Sequence, residues 1–143
     1  MSVGAVITAV AARLVASTGA GTFHESVSGR IYHLFGPEQM VMPACVFGVA
    51  DSASPNRDFV GNDFERYVIQ FDIWVDVAVT GGTPDTTAMD IENKLRQQLD
   101  RQILSATGYD RITCLCISRG EPSKDGDAVR VSAQYEVKGT RTS

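Results

Sequence analysis

Residues Glu65–Val79 read ERYVIQFDIWVDVAV, and this stretch decides the fold. Tyr67, Ile69, Phe71, Ile73, Val75, Val77 and Val79 alternate with Arg66, Gln70, Asp72, Trp74 and Asp76. Successive side chains of a strand point to opposite faces, so the alternation predicts a long antiparallel strand with one buried and one polar face.

The pattern returns near the end of the chain. In Ala128–Lys138, Val129, Val131, Ala133, Tyr135 and Val137 point in while Arg130, Ser132, Gln134, Glu136 and Lys138 point out. Lys124-Asp125-Gly126-Asp127 before it reads as a hairpin turn. Arg111–Ser118 is apolar on both faces, which predicts a central strand. Ala44–Ala50, small and apolar, suits a covered one. Arg30–Phe35 reads as a further short strand that Gly36-Pro37 breaks. Asp51–Asn62 (DSASPNRDFVGN) shows no periodicity and reads as a long loop, a length uncommon in loops without a task.

Two helices frame these strands. Val3, Ile7, Val10 and Leu14 recur at helical spacing, Val6 widens the stripe, and Gly19 and Gly21 stop a helix predicted over Val3–Ser17. Its alanine-rich back allows a neighbour to approach closely. After the Gly81-Gly82 turn, Thr83-Pro84-Asp85 supplies a capping hydroxyl, a proline at the first position and an acid in the first turn. Ala88, Ile91, Leu95, Leu99 and Ile103 form the buried stripe of this second helix, which Gly108 ends. Glu92, Lys94, Arg96, Gln97, Asp100 and Arg101 are expected to face outward. The chain is thus expected to form a single α+β domain over residues 1–143. Its antiparallel sheet has about four to five strands, with two helices packed on one face.

Bulk properties exclude several functions. A net charge of −4, with 13 scattered basic residues, argues against binding nucleic acid through a basic patch. No run reaches the roughly 18 apolar residues of a membrane span. The N-terminal segment has no basic start and Arg13 interrupts it, so it does not read as a signal peptide, and folding in a cytoplasm is expected. The odd count of three cysteines fits free thiols.

Few motifs could carry chemistry. Cys114-x-Cys116 invites a metal reading, with Cys45 and His33 as further ligands. However, residues i and i+2 of a strand are awkwardly placed to chelate zinc, and a buried cysteine serves as a small hydrophobe. His24 and His33 lack a neighbouring nucleophile pattern, and neither Gly19-x-Gly21 nor Gly81-Gly82 makes a phosphate loop. No catalytic residue, cofactor or metal is expected. Asp72 and Asp76 flank Trp74 on the polar strand face. A lone tryptophan among charges suits an interface anchor, or else part of the same chain covers it.

Taken together, these segments resemble the tail completion (tail terminator) family of long-tailed bacteriophages. Gly29-Arg30-Ile31-Tyr32 follows the first helix, and Pro37 then leads to Met42-Pro43-Ala44-Cys45-Val46. The strand Tyr67-Val68-Ile69-Gln70-Phe71-Asp72-Ile73-Trp74, the helix carrying Ile91-Glu92-Asn93-Lys94-Leu95 and a closing hairpin complete the likeness. It covers nearly the whole chain, and the Asp51–Asn62 loop is longer than the family's pattern.

The resemblance implies a non-enzymatic virion protein of the tail or neck, assembled in the host cytoplasm. It implies a homo-oligomer, a hexameric ring that caps the tail tube protein and presents a surface to the head–tail connector protein. DNA would pass through without specific binding, and no membrane is involved. The expected ring or partner contacts are Arg57, Asp58, Phe59, Asp72, Trp74 and Asp76. The acids expected to face the channel are Asp51, Asp58, Asp63, Asp72 and Asp76, because basic walls would hold phosphate. Alternative readings are a head–tail connector or neck protein, or a small dimeric α+β enzyme or ligand-binding domain with a concave pocket.

Overall fold

The computed structural model describes residues 3–52, 56–57, 63–78, 83–106 and 108–141. Along the chain run α1 (Val3–Leu14), α2 (Phe23–Ser26), β1 (Ile31–His33), β2 (Ala44–Ser52) and β3 (Asn56–Arg57). They are followed by β4 (Asp63–Asp76), α3 (Pro84–Leu99), β5 (Gln102–Leu104), β6 (Tyr109–Arg119), β7 (Ser123–Asp125) and β8 (Ala128–Arg141). The strands form one sheet in the order β1-β2-β4-β8-β6-β5, with β3 paired to β4 and β7 to β8.

The two alternating segments become the centre of the molecule. β4 and β8 pair antiparallel in an unbroken register from Phe64↔Thr140 to Asp76↔Ala128. This puts Ile69, Phe71, Ile73, Val131, Ala133 and Tyr135 together on the inner face, all nearly or fully buried. Phe71 stacks on Phe47 at 5.5 Å and meets Tyr135 edge-on at 5.4 Å, a favourable quadrupole arrangement. Gly139 lets β6 approach β8 closely, since a Cβ there would fall 2.6 Å from Tyr109 Cδ1.

α3 lies across β4, β8 and β6, flanked by α1 and α2. The Thr83 hydroxyl caps α3 by accepting from the Thr86 amide, and Ala88, Ile91, Leu95 and Leu99 are buried. α1 buries Val6, Ile7, Ala9, Val10 and Leu14. Arg13 clips it to α3 by donating to the Gln98 carbonyl at 2.9 Å, and Gln98 donates back to the Arg13 carbonyl at 2.8 Å. The short α2, which the sequence pattern did not reveal, places Phe23 in the core, with the adjoining Val27 beside it.

Several expectations need correction. Among the described residues the sheet has eight strands rather than four or five, because short pairings at β3, β5 and β7 join it. It is not purely antiparallel. β1 runs parallel to β2, from Ile31↔Cys45 to His33↔Phe47, and residues 34–43 supply the crossover that a parallel pair needs. Arg111–Ser118 is not central; β6 lies between β8 and the short edge strand β5. Part of the Asp51–Asn62 segment is strand, in β2 and β3.

The first helix ends at Leu14 rather than Ser17, and the second at Leu99, well before Gly108. Asp100 is extended, Arg101 turns left-handed at φ 61°, and the Arg101 amide donates to the Cys114 carbonyl, drawing the chain onto β6 as β5. Ile103 is consequently 59% exposed, whereas Glu92, expected outside, is 2% exposed. Val77 lies past the end of β4 and is exposed, and Val79 falls outside the described residues.

Candidate functional site: the outer face of the sheet

The helices cover one face of the sheet and leave the polar face of β4 and β8 on the outside. Its residues are largely spent on one another. Arg66 Nε donates to Glu136 Oε2 at 2.5 Å, and Lys138 Nζ stands 3.1 Å from the other carboxylate oxygen. The Arg66 guanidinium, helped by Lys138, holds the Glu136 carboxyl below its ordinary pKa. Gln134 donates to Gln70 at 3.2 Å, Gln70 donates to Asp72 at 3.1 Å, and the Ser132 hydroxyl donates to the same Asp72 oxygen at 2.5 Å. This ladder crosses the two strands in register, which is what cross-strand pairing of opposite polar groups produces.

Trp74 continues the face between Ala44 of β2 and Arg130 of β8. The Arg130 guanidinium lies 5.4 Å from the centre of its ring, within cation–π range. Residues of the β1–β2 crossover fold over it: Pro37 and Met40 line two adjoining shallow hollows with Trp74. The tryptophan is therefore half-covered by its own chain.

Of the residues singled out from sequence, Asp72, Trp74 and Asp76 lie together on the outer face of β4, and the others do not join them. Asp63 and Asp76 stand at the two ends of the 14-residue β4, roughly 40 Å apart at about 3.3 Å per residue. Asp51 pairs with Val68 and Arg57 with Asp63 near the first of those ends, while Trp74 and Asp76 lie near the second. Asp58 and Phe59 lie outside the described residues, as do Gly81 and Gly82. Asp72 is half-buried and held by Ser132 and Gln70. Asp76 is exposed and accepts from the Ala78 amide at 2.8 Å.

The candidate metal ligands are also scattered. Cys45 on β2 is separated from Cys114 and Cys116 on β6 by both β4 and β8, about 14 Å at the usual strand spacing. His33 lies beyond it on β1, 5.3 Å from the Phe47 ring. All three cysteines are free. Burial, reinforced by Asp72, pushes the Cys45 thiol far up, and burial with Asp100 pushes Cys114 up to about 12. Protonated thiols are poor nucleophiles and poor ligands.

One polar cluster was missed from sequence. Arg119, at the end of β6, donates from Nε to both Glu92 oxygens at 2.9 and 3.0 Å, and its Nη2 also reaches Glu92 and Asn93. The pair ties α3 to the sheet beneath. Nothing in the sequence pattern links the two positions, which lie 27 residues apart.

No family model matches this chain, and no curated protein matches it. Solved structures do. A chain from the virion of a native gene transfer agent particle aligns with a TM-score of 0.67 at 15% identity, covering 96% of each chain. A second solved structure aligns with a TM-score of 0.68 at 14% identity, covering 100% of this chain and 98% of the other. The chain has, end to end, the fold of a subunit from a gene transfer agent virion.

Proposed function

We propose that this chain is a structural subunit of a tailed, phage-like particle, and that its place is the tail terminator. In this reading it forms a hexameric ring that closes the tail tube and offers its other side to the head–tail connector. The observation that carries the proposal is the end-to-end likeness to a virion chain, with 96% of each chain covered.

The outer face supports a role in contacts rather than turnover. Its polar side chains satisfy one another in a ladder, and the thiols are held protonated. Channel-lining acids stay part of the proposal. Asp63 and Asp76 stand at opposite ends of β4, so both line the channel only where that strand runs along its axis. DNA then slides past acidic or neutral walls without the counterion release that basic walls would bring.

Assembly without this chain tests the proposal. Particles made in its absence should carry tails of irregular length and accumulate filled heads that fail to join them. Tails of normal length joined to heads at the normal frequency would overturn it.

A further inference from the structure

The polar ladder leaves two apolar patches unused, and they stand at opposite edges of the sheet. Just past β1, Leu34 and Phe35 are 65% and 78% exposed, and Val41 is 61% exposed. Leu34 also holds φ at 74°, a region that a leucine adopts only where its surroundings impose it. Its amide donates to the Phe47 carbonyl at 2.8 Å, which fixes the turn in that conformation. Leu34 and Phe35 line one hollow with Trp74, and exposed Glu38 and Asp127 line the adjoining one; exposed Asp76 is two residues beyond Trp74 on β4, and Arg130 lies over the Trp74 ring among these acids.

At the other edge, Ile103, Leu115 and Ile117 are 59%, 45% and 44% exposed. Ile103 is opposite Thr113, and Thr113 is opposite Lys138, so Ile103 and Leu115 share the outer face of β5 and β6. Ile117 lies in the bulge between Cys116 and Ser118. Exposed Arg101, Arg111 and Lys138 stand on these strands, and Glu136, opposite Leu115, is held by Arg66 and Lys138, so the surroundings carry an excess of basic groups.

We infer that the acid-rimmed Leu34–Phe35 knob of one copy docks on the basic-rimmed Ile103–Leu115–Ile117 strip of the next copy. The occupant is a second copy because the two apolar surfaces carry rims of opposite charge and both belong to this chain. A contact between two different patches is heterologous, so copies join head to tail and close into a ring where the rotation allows. The inference rests on the ring reading above and names the surfaces that build it. It adds the two edges of the sheet to the half-covered face around Trp74.

Cysteine trapping tests it on the full chain. A variant carrying both Phe35→Cys and Leu115→Cys, oxidised and run without reductant, should give a ladder of trimers and longer species. Either single variant, or Val15→Cys with Phe35→Cys, should not. Arg111→Glu with Lys138→Glu should weaken the ladder severalfold, and adding Glu38→Lys with Asp127→Lys should restore it. All these positions are exposed, and an unchanged melting temperature confirms that each variant is folded.

A ladder that stops at two copies overturns the head-to-tail arrangement, and an equal ladder from the Val15 control overturns the specificity. If wild-type chain forms rings by sedimentation or on particles but the variant gives no ladder, this pairing fails and the ring reading stands. If no ring appears in solution or on particles and no ladder forms, both fail together.

Discussion

Replacing Glu92 by alanine should destabilise the domain well beyond what an exposed helical glutamate would cost. The Glu92 side chain is 3% exposed, and its partner Arg119 is 36% exposed. Breaking a buried ion pair typically costs about 3–5 kcal/mol, because the remaining charge stays buried. Arg119 can recover part of its hydration, so the expected loss is lower, about 2–3 kcal/mol. With about 2.1 cal/mol/K of unfolding entropy per residue, a chain of this length loses roughly 3 °C per kcal/mol, so Tm should fall by about 7–10 °C.

Urea titration followed by circular dichroism measures the change directly, with thermal melting as a check. A double variant, Glu92→Leu with Arg119→Met, should regain most of the loss, since apolar replacements of similar volume remove both desolvation penalties. A Glu92→Ala loss under about 0.5 kcal/mol, typical of a surface position, would refute the burial and the pairing.

Other outcomes follow from local chemistry. Cys45 and Cys114 should resist thiol reagents at pH 8 until denaturant is added, because burial holds both thiols protonated. Their folded pKa values lie above the unfolded ones, so their contribution to stability is complete below about pH 8.5. It is lost as pH rises, with Cys114 titrating at about 12 in the fold. The urea midpoint should therefore decline from pH 9 upward and less steeply in Cys114→Ala; a midpoint level to pH 11 would contradict this. Thr83→Ala removes the hydroxyl that accepts from the Thr86 amide at 3.3 Å. It should cost about 1 kcal/mol, read as a Tm drop of about 3 °C.

The central strands were legible because burial on one face imprints period-two alternation, and β4 and β8 carry it nearly uninterrupted. The start of α3 was legible for a similar reason: Thr83 and Pro84 state the cap chemically. What failed has specific causes. Ile103 continues the helical stripe by spacing alone, whereas Asp100 leaves the helix to accept from the Cys116 amide at 2.8 Å. Glu92 looked solvated because a charge beside an apolar stripe usually is, and Arg119 reaches it only through the tertiary fold.

β6 shows the limit of patterning for function. Residues apolar on both faces lead one to expect cover on both, but do not say by what. Leu115 and Ile117 are uncovered within one chain, so the pattern that suggested a central strand fits a surface kept for a neighbour. The candidate contacts chosen from sequence followed the lone tryptophan, which is half-buried and shares two hollows with residues of the crossover from β1 to β2. For the proposed edge contact, the sequence feature is Leu34-Phe35, two large apolar residues directly before Gly36-Pro37.

A tail terminator is defined by where it sits, so imaging the particle is the most direct test. With this subunit labelled, electron microscopy should show one ring at the head-proximal end of the tail and nowhere else. Label spread along the tube, or in the capsid shell, would contradict the tail-terminator account.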